Sequence, residues 1–130
     1  MIVVDASAVV EALVGQRPDP GLLELLAGEL HAPHLLDVEV SSVLRGLSLG
    51  RRLTDGVLEE ARSDYAALTI TRYEHQALAD RCWDLQHQFT TYDASYLALA
   101  EALGAPLVTC DAKLAAPGHR AAVHVLPLMG

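Results

Sequence analysis

The chain is 130 residues long, 52% hydrophobic and 20% charged, with 17 acidic against 9 basic side chains and a formal net charge of −8. That length and apolar content suit a single globular domain, residues 1–130, with a core of its own. Apolar stretches are broken by charge within about ten residues, and the N-terminal run carries an acid at position 5 with no basic segment before it, so neither a spanning helix nor a secretory leader is expected, and a cytoplasmic protein without a membrane partner is. Cys82 and Cys110 lie far apart with no CxxC spacing, which disfavours a disulfide framework or a zinc site.

In chain order, Ile2, Val3 and Val4 read as a buried strand ended by Asp5, Ser7 to Val14 as a short helix, and Gly21 to Leu30 as a second helix opened by a Pro-Asp-Pro-Gly turn. HAPHLL is extended around Pro33 and leads into DVEVSSVLRGLSLG, where Val40, Val43, Leu44 and Leu47 recur at helical spacing and Gly50 closes the pattern. Thr54 caps the helix TDGVLEEARSDYAAL, LTIT is a short β-branched strand, and YEHQALADRCWDLQHQ reads as a helix. TTYDASYLALAEALG is a further helix with Thr91 as N-cap and Gly104 as its stop; APLVTCD is the most strand-like stretch, and AVHVLPL is a last extended piece. Strands separated by helices of about ten or more residues predict parallel βαβ units and a three-layer α/β/α sandwich around a central parallel sheet.

Ligands of open parallel sheets gather at the carboxyl ends of the strands, where strand order reverses. Asp5 and Asp111 each end a predicted strand, Glu39 lies about one helical turn past HAPHLL, and Asp93 lies in the first turn of its helix. Singly, each has an ordinary role: Asp5 as a turn residue, Glu39 as an exposed helix residue, Asp93 as a helix-dipole partner, Asp111 as an N-cap. Together at one edge, four carboxylates would raise one another's pKa values unless a cation neutralised them. Oxygen ligands without His or Cys favour Mg²⁺ or Mn²⁺ over zinc.

VVDASAVVEAL, PHLLDVEVSSVLR and above all TTYDASYLALAEALGAPLVTCDAKL resemble the PIN-domain ribonucleases, and the small size resembles the VapC toxins of VapBC toxin–antitoxin modules, over nearly the whole chain from Ile2 to Leu126. The resemblance implies Asp5, Glu39, Asp93 and Asp111 as metal-binding catalytic acids, with Ser7 and Thr109 matching hydroxyl positions that orient ligands or water. It implies Mg²⁺-dependent hydrolysis of RNA phosphodiesters, Mn²⁺ serving as a substitute, with no side-chain nucleophile. It further implies a homodimer, which the apolar-rich helices LLELLAGEL and TDGVLEEARSDYAAL also suggest, and a small VapB-type antitoxin as partner.

A net charge of −8 argues, taken alone, against a nucleic-acid surface. Two divalent ions on the four acids would cancel half of it, and Arg45, Arg51, Arg52 and Lys113 are the expected phosphate contacts. Arg51 and Arg52 are equally well explained as cations at a helix C-terminus. So few basic residues suit a structured RNA with an unpaired loop, as in tRNA or rRNA, better than a long duplex, and an aromatic content of 5% is low for a stacking platform. A haloacid-dehalogenase phosphatase would need a second acid where Ser7 stands, and a response-regulator receiver would need an acidic pair after the first strand. The stronger alternative is a PIN-like interaction module that has lost catalysis, against which the presence of all four acids argues.

Overall fold

The structure, a computed structural model, describes residues 1–128. Five strands, β1 (Ile2–Val4), β2 (Leu30–Pro33), β3 (Ile70–Tyr73), β4 (Leu107–Thr109) and β5 (Val123–Val125), form one sheet in the order β3-β2-β1-β4-β5. Every pairing is parallel; Val3 lies opposite His31 of β2 on one side and Leu107 of β4 on the other. Six α-helices join them: α1 (Ala6–Val14), α2 (Pro20–Leu26), α3 (Leu35–Leu49), α4 (Asp55–Ala66), α5 (Ala79–Asp84) and α6 (Thr91–Leu103). The result is the expected three-layer α/β/α sandwich, in which α1 packs against α2, α3 and α4 while α6 packs against α5 and the strands β1, β2 and β4.

The central strands are those with uninterrupted apolar sequence, as strands covered on both faces must be. Val3, Val4, Leu107 and Val108 are fully buried, and α6 contributes an almost continuous buried run from Ala94 to Ala100. Four connecting helices start on a side chain that accepts a free amide: Asp5 from Ala8, Asp19 from Leu22, Thr54 from Val57, and Thr90 from Asp93. Gly104 ends α6 in the left-handed conformation, with φ 61°, a geometry that glycine adopts without a Cβ penalty.

Several boundaries differ from the sequence reading, each for a tertiary reason. The cap of α6 is Thr90 and not Thr91, because the Thr90 hydroxyl is the one that meets the Asp93 amide. The predicted helix Gly21 to Leu30 stops at Leu26, since Leu30 pairs with Ile2 and Ile70 in the sheet. LTIT shifts to Ile70–Tyr73, where β3 pairs with β2 along its whole length. Tyr73 to Gln88 is not one helix but a short 3₁₀ turn, His75–Ala77, followed by α5 and further turns. Its apolar stripe of Leu78, Cys82, Leu85 and Phe89 is nonetheless buried, so the periodicity identified the core-facing side although the helix is broken. The last extended piece forms β5 over Val123–Val125.

Across the helices, Asp37 of α3 accepts Tyr65 Oη of α4 at 2.6 Å and Arg72 Nε and Nη2 of β3 at 2.7 and 3.0 Å, tying the edge strand to two helices. Leu97 in the middle of α6 is fully buried, and Leu97→Ala is expected to destabilise the fold by about 2–5 kcal/mol, read as a lower denaturant midpoint at constant slope.

Candidate active site

The chain leaves β1 and turns back over it to make β2 and β3, then returns through α5 and α6 to place β4 on the opposite side of β1. The switch point therefore lies between the carboxyl ends of β1 and β4. Asp5 occupies it, one residue past β1 and serving as N-cap of α1, only 6% exposed. Its Oδ1 accepts the Ala8 amide at 3.1 Å and the Ser7 hydroxyl at 2.8 Å; its Oδ2 accepts the Thr109 hydroxyl at 2.6 Å. The same two hydroxyl oxygens accept amides from beyond β4, Ser7 Oγ from Cys110 at 2.9 Å and Thr109 Oγ1 from Asp111 at 2.9 Å. Each hydroxyl has one proton, and both protons point at Asp5. Burial raises the Asp5 pKa, while these hydrogen bonds oppose the rise by favouring the ionised form.

The other three predicted acids form a chain of like charges with Asp5: Glu39 and Asp111 each feel Asp5 or act on it, and Asp93 is linked to Asp5 through those two. Glu39, in the second turn of α3, has a raised pKa through burial and the charges of Asp5 and Asp93; its Oε1 accepts the Tyr96 hydroxyl of α6 at 2.5 Å. Asp93, in the first turn of α6, is raised mainly by burial and further by Asp111, with Lys113 opposing. Asp111 also raises Asp5. Its own carboxylate accepts the Lys113 amide at 3.0 Å and lies 3.5 Å from Lys113 Nζ. The edge is thus a set of oxygen donors of one sign, a donor chemistry that fits a hard divalent cation. As the side chains stand, no group of three or more His, Cys, Asp or Glu residues among those described is gathered closely enough to hold a metal ion. Glu39 is engaged by Tyr96 and Asp111 by Lys113, and both carboxylates are partly exposed.

Of the predicted basic contacts, Lys113 is at the acidic edge. Arg45 lines a groove of about 390 Å³ between α3 and α4, together with Asp55, Glu59 and Arg62. Arg51 and Arg52 follow the C-terminal end of α3, whose last residue, Leu49, lies roughly 15 Å along the helix axis from Glu39 at 1.5 Å per residue. Sequence reasoning passed over two residues at or near the site. Tyr96 lies three residues after Asp93, and that helical spacing was the available signal. Glu11 lies one turn after Ser7 on α1; it is 9% exposed, its Oε1 has no hydrogen-bond partner, and its carboxylate packs against Gly15, where an added Cβ would come within 2.5 Å of that oxygen. Cys110, beside the hydroxyl pair, has its thiol pushed up to about 11 by burial and the charges of Asp5, Glu11 and Asp19, so it is protonated near neutrality and unsuited to act as a nucleophile.

The fold agrees with what the chain is similar to. It matches the family model of the PIN domain over residues 2–119. It is 43% identical over 120 residues to a VapC ribonuclease of Mycobacterium bovis, covering 92% of both chains, and 45% identical over 123 residues to ribonuclease VapC1 of Mycobacterium tuberculosis, covering 89% of this chain and 90% of that one. The crystal structure of PAE2754 from Pyrobaculum aerophilum shares the fold with a TM-score of 0.59 at 24% identity, covering 87% of this chain and 81% of that one. The chain belongs to the PIN domain family and, within it, to the VapC ribonucleases. No helix among the described residues is long and apolar enough to cross a membrane.

The raised acids set a pH dependence. A carboxyl whose pKa is higher in the folded chain contributes stability that is complete below its unfolded value and is lost as pH rises through the folded value. Asp5, Glu39 and Asp93 all act in this sense, above the ordinary values of 3.8 and 4.5. Asp37 and Glu101, held low by Arg72 and Arg81, act in the opposite sense, and only below that range. In a chelating buffer the melting temperature is therefore expected to rise as pH is lowered from neutrality toward the ordinary carboxylate values, with a shallower slope in Asp5→Asn. A wild-type melting temperature that is flat or falling over that interval would contradict this electrostatic picture.

Proposed function

We propose that this protein is a metal-dependent endoribonuclease toxin of a VapBC-type module, cutting phosphodiester bonds in the unpaired loops of structured RNA such as tRNA or rRNA. The observation that carries the reading is the hydroxyl-held Asp5 at the switch point, electrostatically coupled to Glu39 and Asp111 and through them to Asp93, in a chain whose relatives are named ribonucleases. The acids suit Mg²⁺, with Mn²⁺ as a substitute, because their donor atoms are all oxygen and their mutual repulsion falls when a cation is bound. The chemistry that such an ion supplies when bound is polarisation of the scissile phosphate and acidification of the attacking water.

The protein's own groups have separable parts in this reading. Ser7 and Thr109 fix the rotamer of Asp5 and oppose the rise in its pKa that burial causes. Tyr96 restrains Glu39, which must turn from the phenol to join the other donors. Asp111 must likewise turn from Lys113, and the freed ammonium is then available to a phosphate oxygen beside Asp93. A homodimer and a VapB-type antitoxin belong to the same proposal: an acidic edge on a chain of net charge −8 attracts a basic segment, and apolar contacts then retain it.

Asp5→Asn and Asp93→Asn are expected to abolish cleavage of total tRNA at limiting Mg²⁺ while leaving the circular dichroism spectrum unchanged, since each keeps its volume and loses its charge. Unchanged cleavage by both variants would sink the assignment. In a purified toxin–antitoxin complex, added Mg²⁺ or Mn²⁺ is expected to restore part of the activity at constant complex mass if a basic side chain occupies the acidic edge. No recovery at any metal concentration would mean that the antitoxin blocks the RNA path instead.

A further inference from the structure

At the same sheet edge, beside the acids and separate from them, lies a cavity of about 380 Å³ lined by Leu35, His75, Thr91, Tyr92 and Ser95. Its position follows from helical geometry. Tyr96 of α6 contacts Glu39 of α3, and both Tyr92 and Leu35 lie four residues earlier on the same two helices, hence on the same faces one turn closer to their N-termini. His75 follows the carboxyl end of β3, so all five lining residues stand at the edge that carries Asp5. Tyr92 directly precedes Asp93 in the chain, and Ser95 Oγ donates to the Tyr92 carbonyl at 2.7 Å, bracing the turn from which the ring projects.

Tyr92 is 61% exposed, an unusual state for an aromatic ring in a chain with so few of them. Phe89 and Tyr96 are buried, and Tyr65 and Tyr73 half-buried; besides Tyr92 only Trp83, on α5 and outside this cavity, is strongly exposed. The volume is within the range of pockets that take small molecules, about 300–1,000 Å³. Leu35 and Tyr92 supply apolar lining, while Thr91 and His75 are lining residues whose side chains carry hydrogen-bonding groups. Charge points the same way. With 9 basic against 17 acidic residues, phosphate attraction alone is a poor means of retaining RNA, and contact with a base is independent of that deficit.

We propose that this cavity is a nucleobase subsite: an unpaired base next to the cleaved phosphate stacks on Tyr92 and is bounded by Leu35, His75 and Thr91. The proposal rests on the ribonuclease reading and adds to it where the base beside the cut is held. Stacking on one aromatic ring is typically worth about five- to hundredfold in affinity, so a single ring suffices for one base despite the low aromatic content.

The test uses the full chain with Asp5→Asn, so that RNA is not consumed, and fluorescently labelled single-stranded homopolymers of A, C, G and U. At least one is expected to bind, and adding Tyr92→Ala should weaken that binding about fivefold or more, whereas Tyr92→Phe should change it less than about twofold. An abasic oligomer of equal length should bind all three proteins equally and weakly. Absence of binding by any of the four homopolymers, or an equal loss for abasic and base-bearing oligomers, would overturn the subsite. A Tyr92→Ala change in oligomeric mass without a change in RNA affinity would overturn it too and assign the face to a second copy of the chain. Failure of the ribonuclease reading shows separately, as wild-type protein that does not cleave tRNA in Mg²⁺.

Discussion

The carboxylate of Asp5 is the interaction on which the rest of the edge depends. It is a strand end, a helix cap and the acceptor of two side-chain hydroxyls at once, and through them it connects β1, α1 and the turn after β4. A buried carboxylate with too few donors would take up a proton; one with three stays closer to its ionised form. The hydroxyls come from Ser7 and Thr109, which are 102 residues apart in sequence and 3.1 Å apart in space. Folding of the parallel sheet is thus what assembles them, because no local segment contains both ends of the arrangement.

From that fixed point the edge grades outward in restraint. Asp5 is locked, Glu39 is held by a single phenol, and Asp93 and Asp111 are partly exposed, with Lys113 near both. A gradient of this kind suits the proposed chemistry, which needs one rigid reference donor and others able to turn toward an arriving ion and substrate. It also reconciles a net charge of −8 with an RNA substrate. The acids are concentrated where a cation would cancel them, and the proposed base contact at Tyr92 does not depend on charge.

The sequence was most legible where local chemistry and tertiary demand coincide. The apolar runs around Val3 and Val108, the helix ends Thr54, Gly50 and Gly104, and Val40 and Leu44 of the α3 pattern translate directly into the observed sheet and helices, whereas Val43 of that pattern is exposed. Legibility failed where a residue had two possible neighbours. Leu30 satisfies a helical pattern, yet its sheet partners Ile2 and Ile70 decide the outcome. Tyr73 likewise begins a helical stretch in sequence but pairs with Pro33. The edge position of Asp5, Glu39, Asp93 and Asp111 followed from strand ends and helix starts. The role of Tyr96 did not, since a tyrosine in a buried apolar helix looks like core until its hydroxyl is seen on Glu39. Tyr92 was missed for a related reason, because exposure is a property of the folded surface and leaves no mark on composition.

The central claim is that Asp5 anchors a divalent cation at the switch point, and calorimetric titration of Mn²⁺ into wild-type protein and Asp5→Asn tests it most directly. The predicted result is saturable binding to the wild type that is lost in the variant, with the variant still folded by circular dichroism. Equal Mn²⁺ affinity in the two proteins, or no saturable binding to the folded wild type, would contradict it.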